Sequence, residues 1–160
     1  MTNPTTITTP DGLPFVDIIR DFDAPRELVF RAYVDPDLVR QWQGPRRYVT
    51  AIGEWDARTG GAWSYVSTDP DDGAEYGFRG VFHAVDEPTS ITQTFEYAGV
   101  PGHVNLDRVV FEDLGDGRTR VTSRTAFQSL EDRDGMVASG MSYGVIEGNE
   151  RLDELLASLA

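Results

Sequence analysis

Four short stretches of this chain alternate so that bulky side chains fall on one face of an extended backbone. They carry Trp63 with Tyr65, Tyr76 with Phe78, Phe95 with Tyr97, and Val109 with Phe111. Asn105 and Asp107 share the face of Val109 and Phe111, and Ser123 and Thr125 share that of Val121. Rings with few polar groups among them suit the wall of a site for an apolar or aromatic small molecule, and the same residues are equally read as plain core. A carboxylate turned inward at Asp107 costs free energy unless it is hydrogen-bonded or paired. There it would anchor a ligand or act as an acid–base group with a raised pKa; near a strand end it would simply meet water. Arg20, in step with Val16, Ile18 and Phe22, is a candidate partner, with snorkelling to the sheet edge as the alternative.

Other chemistry finds little support. His83 and His103 lie on different elements without metal-ligand spacing. No nucleophile elbow or Ser–His–Asp arrangement is present. Gly60-Gly61 sits in a hairpin and lacks the following helix that a phosphate loop requires. There are no cysteines, which excludes disulfides and thiolate catalysis. No catalytic residue, metal site or cofactor is assigned. The net charge of −13, with all 14 basic residues arginine, disfavours nucleic acid and anionic lipid as partners. No apolar run approaches the ~20 residues that span a bilayer, and the polar start MTNPTTITTPDG has no signal-peptide core, so a cytoplasmic protein without membrane insertion is expected.

The elements that must hold the ring-bearing strands follow from periodicity and turn residues. Residues 1–12 read as a flexible arm, and residues 13–160 as a single domain. Leu13–Phe22 is a first strand, followed by two short helices whose starts are marked by Asp23-Ala24-Pro25, with Pro25 in the first turn, and by Asp35-Pro36-Asp37. Six further strands are expected at Tyr48–Trp55, Ala62–Thr68, Ala74–Val85, Ser90–Tyr97, Val104–Leu114 and Arg118–Phe127, mostly joined by tight Gly- and Asp-rich turns. From Ser129 to Ala160 the 3.6 period predicts one long amphipathic helix, capped by Ser129, with Val137, Met141, Val145, Gly148, Leu152, Leu155 and Leu159 on its apolar stripe. Gly140, Gly144 and Gly148 recur every four residues, at about 1 kcal/mol each against alanine. Either another backbone comes close there, or space is kept open beneath the helix for a ligand. Tyr143, on the polar side, is an exposed aromatic or a contact in a homodimer. The fold class is α+β: a curved antiparallel seven-stranded sheet wrapped around a long C-terminal helix.

The stretch Phe22-Asp23-Ala24-Pro25-Arg26-Glu27-Leu28-Val29-Phe30, then Asp35-Pro36 and Gln41-Trp42-Gln43-Gly44-Pro45, resembles the opening of the SRPBCC superfamily. The branch it is most similar to is named after the activator of the heat-shock-protein-90 ATPase. Asp56, Arg58, Gly60-Gly61, Trp63, Gly80, Pro88, Phe111-Glu112-Asp113 and Gly140-Met141 with Gly144 also fit that branch. The resemblance runs from about residue 15 to the C-terminus. It implies the helix-grip fold of START-like and birch-pollen-allergen-like proteins, with a cavity between sheet and helix closed by Val137, Met141, Gly144 and Gly148. Two departures are visible: Gln43 stands where the family often has a second Trp, and Ser142-Tyr143 where it has acidic residues. Three functions follow as expectations: a binding protein for an apolar or aromatic small molecule, an enzyme of the polyketide cyclase/aromatase type, and a chaperone-interacting stress-response module.

Overall fold

The computed structural model describes residues 3–160, so the first two residues of the expected arm lie outside the described residues. The remainder of that arm is not loose throughout. Thr5–Thr8 forms an edge strand, β1, paired antiparallel with β2 (Phe15–Phe22), Thr5 facing Arg20 and Ile7 facing Ile18. This is an eighth strand where seven were expected. A four-residue threonine-rich segment is too short to show a period of two, and only its pairing with β2 reveals it.

The other strands lie close to their predicted bounds: β3 (Val49–Trp55), β4 (Ala62–Thr68), β5 (Glu75–Asp86), β6 (Ser90–Tyr97), β7 (Val104–Gly115) and β8 (Arg118–Ala126). The sheet is antiparallel, in the spatial order β1-β2-β8-β7-β6-β5-β4-β3. Strands β3 to β8 are a meander of hairpins, and β2 closes onto β8. Register shifts in β3, β5 and β7 are the bulges that let a sheet of this width curl into a grip.

Because β2 and β3 lie far apart in that order, their connection must cross the mouth of the grip, and α1 (Arg26–Val34) and α2 (Pro36–Trp42) make the crossing. Asp35 caps α2 through Asp37 N, with Pro36 just inside, whereas Pro25 is the N-cap of α1 rather than its first residue. Three hydrogen bonds, two of them buried and the one from Trp55 half-buried, fix the crossing. Trp42 Nε1 donates to Ala32 O at 2.9 Å, Trp55 Nε1 to Val34 O at 2.8 Å, and Thr119 Oγ1 to Ala24 O at 2.7 Å.

The C-terminal segment is two helices, not one. α3 (Leu130–Ala138) starts under its Ser129 cap, whose Oγ accepts from Asp132 N at 3.0 Å, and α4 (Met141–Leu159) starts at Gly140. Gly140 has φ +87°, a left-handed conformation that glycine adopts without strain and that ends a helix. The apolar stripe runs on across the break, which is why periodicity alone reads one helix. In α4, Leu152, Leu155 and Leu156 enter a core built from Phe22, Phe30, Trp42, Trp63, Phe82, Ile91, Phe111 and Val121.

Candidate functional site

The three spaced glycines do not enclose a hollow. A Cβ on Gly148 would stand 3.3 Å from the carbonyl oxygen of Trp42 and 3.7 Å from Gly44 N, so this glycine lets α4 ride directly on the end of α2. Gly144 lies over the Pro45 ring at 3.5 Å, and Gly140 is the helix break. Arg151 donates to the carbonyls of Gly44 and Pro45, while Arg46 binds Glu154 with both terminal nitrogens and donates its backbone amide to Glu147. Backbone approach, the first of the two readings of the stripe, is what the structure contains. The two depressions that stand out lie elsewhere. One of about 220 Å³ is on the convex face over Leu106, Val110 and Ala126, and one of about 280 Å³ lies where Pro4 and Thr5 meet Ile146 and Glu150.

The concave face divides along its length into a dry end and an accessible end. Trp63, at 3 % exposed, belongs with Val109 and Phe111 to the dry end and is core. Tyr76, Phe78, Phe95 and Tyr97 share the same face but stay half-buried, as do Met141 and Val145 on the early turns of α4. Val137, expected to close the site, is 41 % exposed on α3, and Tyr143 is 63 % exposed. The rings form one continuous wall. Ring centroids are 5.6 Å apart for Tyr48–Tyr76, 6.4 Å for Tyr76–Tyr97, 5.3 Å for Tyr97–Phe78 and 5.4 Å for Phe78–Phe95. Phe95 then meets Trp63 at 5.8 Å, and Trp63 stacks on Tyr65 at 5.7 Å. Gly80 makes room for that arrangement: a Cβ there would stand 2.6 Å from Trp63 Nε1.

Asp107 sits beside this wall. Register places it opposite Gln93 on β6 and Thr125 on β8, all on the concave face, with Phe95 one inward position along from Gln93. Thr125 Oγ1 donates to Asp107 Oδ1 at 2.8 Å, and the Gln93 side chain also hydrogen-bonds the carboxylate. Protein crowds this half-buried group enough to push its pKa from 3.8 up to about 6; the two hydrogen bonds oppose the rise without cancelling it. The Tyr65 hydroxyl on β4 senses the Asp107 charge without a hydrogen bond to it and has the Gln43 side chain beside it; burial, above all, raises its pKa beyond the normal phenol range. Arg20 is not the partner of Asp107. It is 2 % exposed, lies with its guanidinium 5.0 Å from the Phe22 ring centroid, and pairs with Asp153 of α4.

Comparison with known proteins places this geometry. The family profile described as "Activator of Hsp90 ATPase homolog 1-like protein" matches residues 23–157. The chain belongs to that family. Solved structures resemble the chain to differing extents. A protein from Arthrobacter aurescens is 26 % identical with a TM-score of 0.88, covering 96 % of this chain and 91 % of that one. A protein from Mycobacterium smegmatis is also 26 % identical, with a TM-score of 0.86 and coverage of 96 % and 97 %. An Hsp90 activator from Plasmodium falciparum is 18 % identical with a TM-score of 0.55, covering 70 % of this chain and 71 % of that one, which is a likeness of fold alone. No curated protein matches the chain. The family thus lies within the SRPBCC superfamily, and no helix among the described residues is long and apolar enough to cross a membrane.

Of the residues expected in a site, the structure therefore brings Tyr76, Phe78, Phe95, Tyr97 and Asp107 to one accessible stretch, with Tyr65 at its buried margin. It consigns Trp63, Val109 and Phe111 to the core and Gly148 to a helix–helix contact. Tyr48, Gln43 and Gln93 were not anticipated. Tyr48 was read as the first residue of a strand and not as part of a site; the strand begins one residue later, at Val49, and Tyr48 joins the wall by stacking on Tyr76. Gln43 was visible only as a departure from the family's pattern. The cross-strand position of Gln93 opposite Asp107 needs the β6–β7 register.

Proposed function

We propose that this protein holds an apolar or aromatic small molecule against the concave wall of Tyr76, Phe78, Phe95 and Tyr97, beneath the early turns of α4, with Asp107 as its polar anchor. The observation that carries this reading is that large aromatic rings stay half-buried on the inner face of a sheet whose other end is tightly closed. Such apolar area with one convergent polar group is what a small-molecule site offers. A panel of fatty acids, flavonoids and a fluorescent apolar probe should raise the melting temperature with saturation, because a ligand bound only by the folded state stabilises it by RT ln(1 + [L]/Kd). No shift across the panel would remove the reading.

A second reading, an enzyme of the cyclase/aromatase type, is favoured by one feature. Asp107, half-buried on the concave face with a pKa of about 6, is suited to moving a proton near neutral pH. Turnover of a polyketide-like substrate that is lost in Asp107→Asn while binding persists would favour the enzyme over the binding protein.

A further inference from the structure

The acidic side chains of the sheet that are withdrawn from water are matched with arginine, whereas exposed ones such as Glu54, Glu75, Glu112 and Asp113 stand in solvent without an arginine partner. Asp17 takes Arg124 at 2.7 Å, Asp21 takes Arg120 at 2.8 Å, Glu96 takes Arg79 at 2.8 Å, and Glu154 takes Arg46. Even the buried Arg20 has Asp153. Asp107 is the contrast. Among the described residues no cation pairs with it, and the arginines nearest in register, Arg108 and Arg124, alternate to the convex face. There Arg124 serves Asp17 and Arg108 donates to Thr92.

A carboxylate offers about four lone-pair positions, and Thr125 and Gln93 occupy only part of them. A crowded carboxylate with no counter-charge is the arrangement that a bound cation relieves. The ring of Phe95 next to it in register, and those of Tyr97 and Phe78 further along the wall, suit the same kind of group, since an aromatic face attracts a cation. A carboxylate-bearing ligand would be repelled at this point, and a chain of net charge −13 draws cations and turns anions away at long range.

We infer that the ligand of the concave ring wall is an amphipathic amine: an aromatic or apolar body lying on the rings, with a protonated nitrogen seated on the Asp107 carboxylate between Thr125 and Gln93. This rests on the binding reading above and specifies the chemical class of its ligand.

Three matched probes separate the two claims: 2-(2-naphthyl)ethylamine, 2-(2-naphthyl)ethanol and 2-naphthylacetate, titrated calorimetrically at about pH 7.5 and about 0.15 M salt, where long-range charge effects are screened beyond ~8 Å. The amine should bind at least about tenfold more tightly than the alcohol, with the acid weakest. In Asp107→Asn, which keeps an acceptor for Thr125, amine and alcohol should bind alike. Alcohol binding equal to amine binding in the wild type overturns the amine and leaves the binding reading standing. An amine preference that survives Asp107→Asn assigns it to overall charge and likewise overturns the inference. Failure of all three probes, with no response to the apolar panel, removes the binding reading and the amine with it.

Discussion

Replacing Asp107 by asparagine should make this protein more stable at neutral pH. The carboxyl group titrates near 3.8 in an unfolded chain and at about 6 in the fold, because the crowded site disfavours its charged form. The folded state therefore holds more protons than the unfolded state between those two values, and stability attributable to Asp107 falls as pH rises through them. Below the unfolded value both states are protonated and the penalty vanishes; above the folded value it is complete. A shift of about two units corresponds to about 3 kcal/mol, and partial contact with water lowers the expected effect to about 1–3 kcal/mol. Asparagine has the same shape, accepts from Thr125 through its oxygen and can donate to Gln93, so the hydrogen bonds survive the change. The carboxylates held below their usual range by arginine, including Asp17, Asp21 and Glu154, are common to both proteins and cancel in the difference. Tyr65, whose hydroxyl senses the Asp107 charge, stays neutral throughout because burial raises its pKa. Urea unfolding at a series of pH values from about 4 to 8 should show the variant ahead at the upper end and the two curves meeting at the lower. A variant less stable than wild type at neutral pH, or a difference that does not change with pH, would refute the argument that this carboxylate is crowded and uncompensated.

The three glycines of the terminal helices should respond to alanine in three different ways. Gly140→Ala forces a side chain into a left-handed conformation and should lose about 1–2 kcal/mol. Gly144→Ala meets Pro45 at ordinary contact distance and should gain up to about 1 kcal/mol from helix propensity. Gly148→Ala should be nearly neutral, its helical gain offset by the 3.3 Å approach to Trp42 O, while Gly148→Val should lose about 1–3 kcal/mol by overpacking. Chemical unfolding of the four variants checks the set; a gain at Gly140→Ala would refute the left-handed break, and a gain at Gly148→Val would mean the helix is not seated on α2 as described. Asp153→Ala leaves the buried Arg20 without its carboxylate. It should cost about 2–4 kcal/mol, less than a fully buried pair because Asp153 keeps some contact with water. A loss below 1 kcal/mol would show that the Phe22 ring face alone holds the guanidinium.

The meander was legible because its turns are written in residues with few alternatives. Asp69-Pro70-Asp71-Asp72-Gly73 and Gly115-Asp116-Gly117 admit little but a reversal, and between them the period of two is clean. β1 was not legible, since an edge strand of threonines has no buried face long enough to show alternation and exists through its partner β2. The break at Gly140 was hidden for the opposite reason: the apolar period continues through it, and only φ distinguishes a helical glycine from a left-handed one. Asp107 was legible as a face but not as a state. Alternation placed it inward beside Thr125, while the distance from a strand end to bulk water, and the destination of Arg20, depend on how the sheet curls and where α4 lies.

That curl also explains why a site belongs at one end of the grip. The stripe that α4 presents to the sheet is leucine-rich from Leu152 onward and fills the space over Phe82, Ile91 and Phe111. Towards its start the stripe carries Gly148, Val145, Gly144 and Met141, which are smaller or sparser, and two of these positions are committed to contact with Trp42, Gly44 and Pro45. Seating α4 on α2 through glycine draws the helix to one side of the concavity. The rings of β5 and β6 are then left without side chains of matching volume above them, so they stay half-buried although they face inward. An uncovered wall, rather than a hollow cut beneath the helix glycines, is the physical basis of the binding site proposed for Asp107 and its aromatic neighbours.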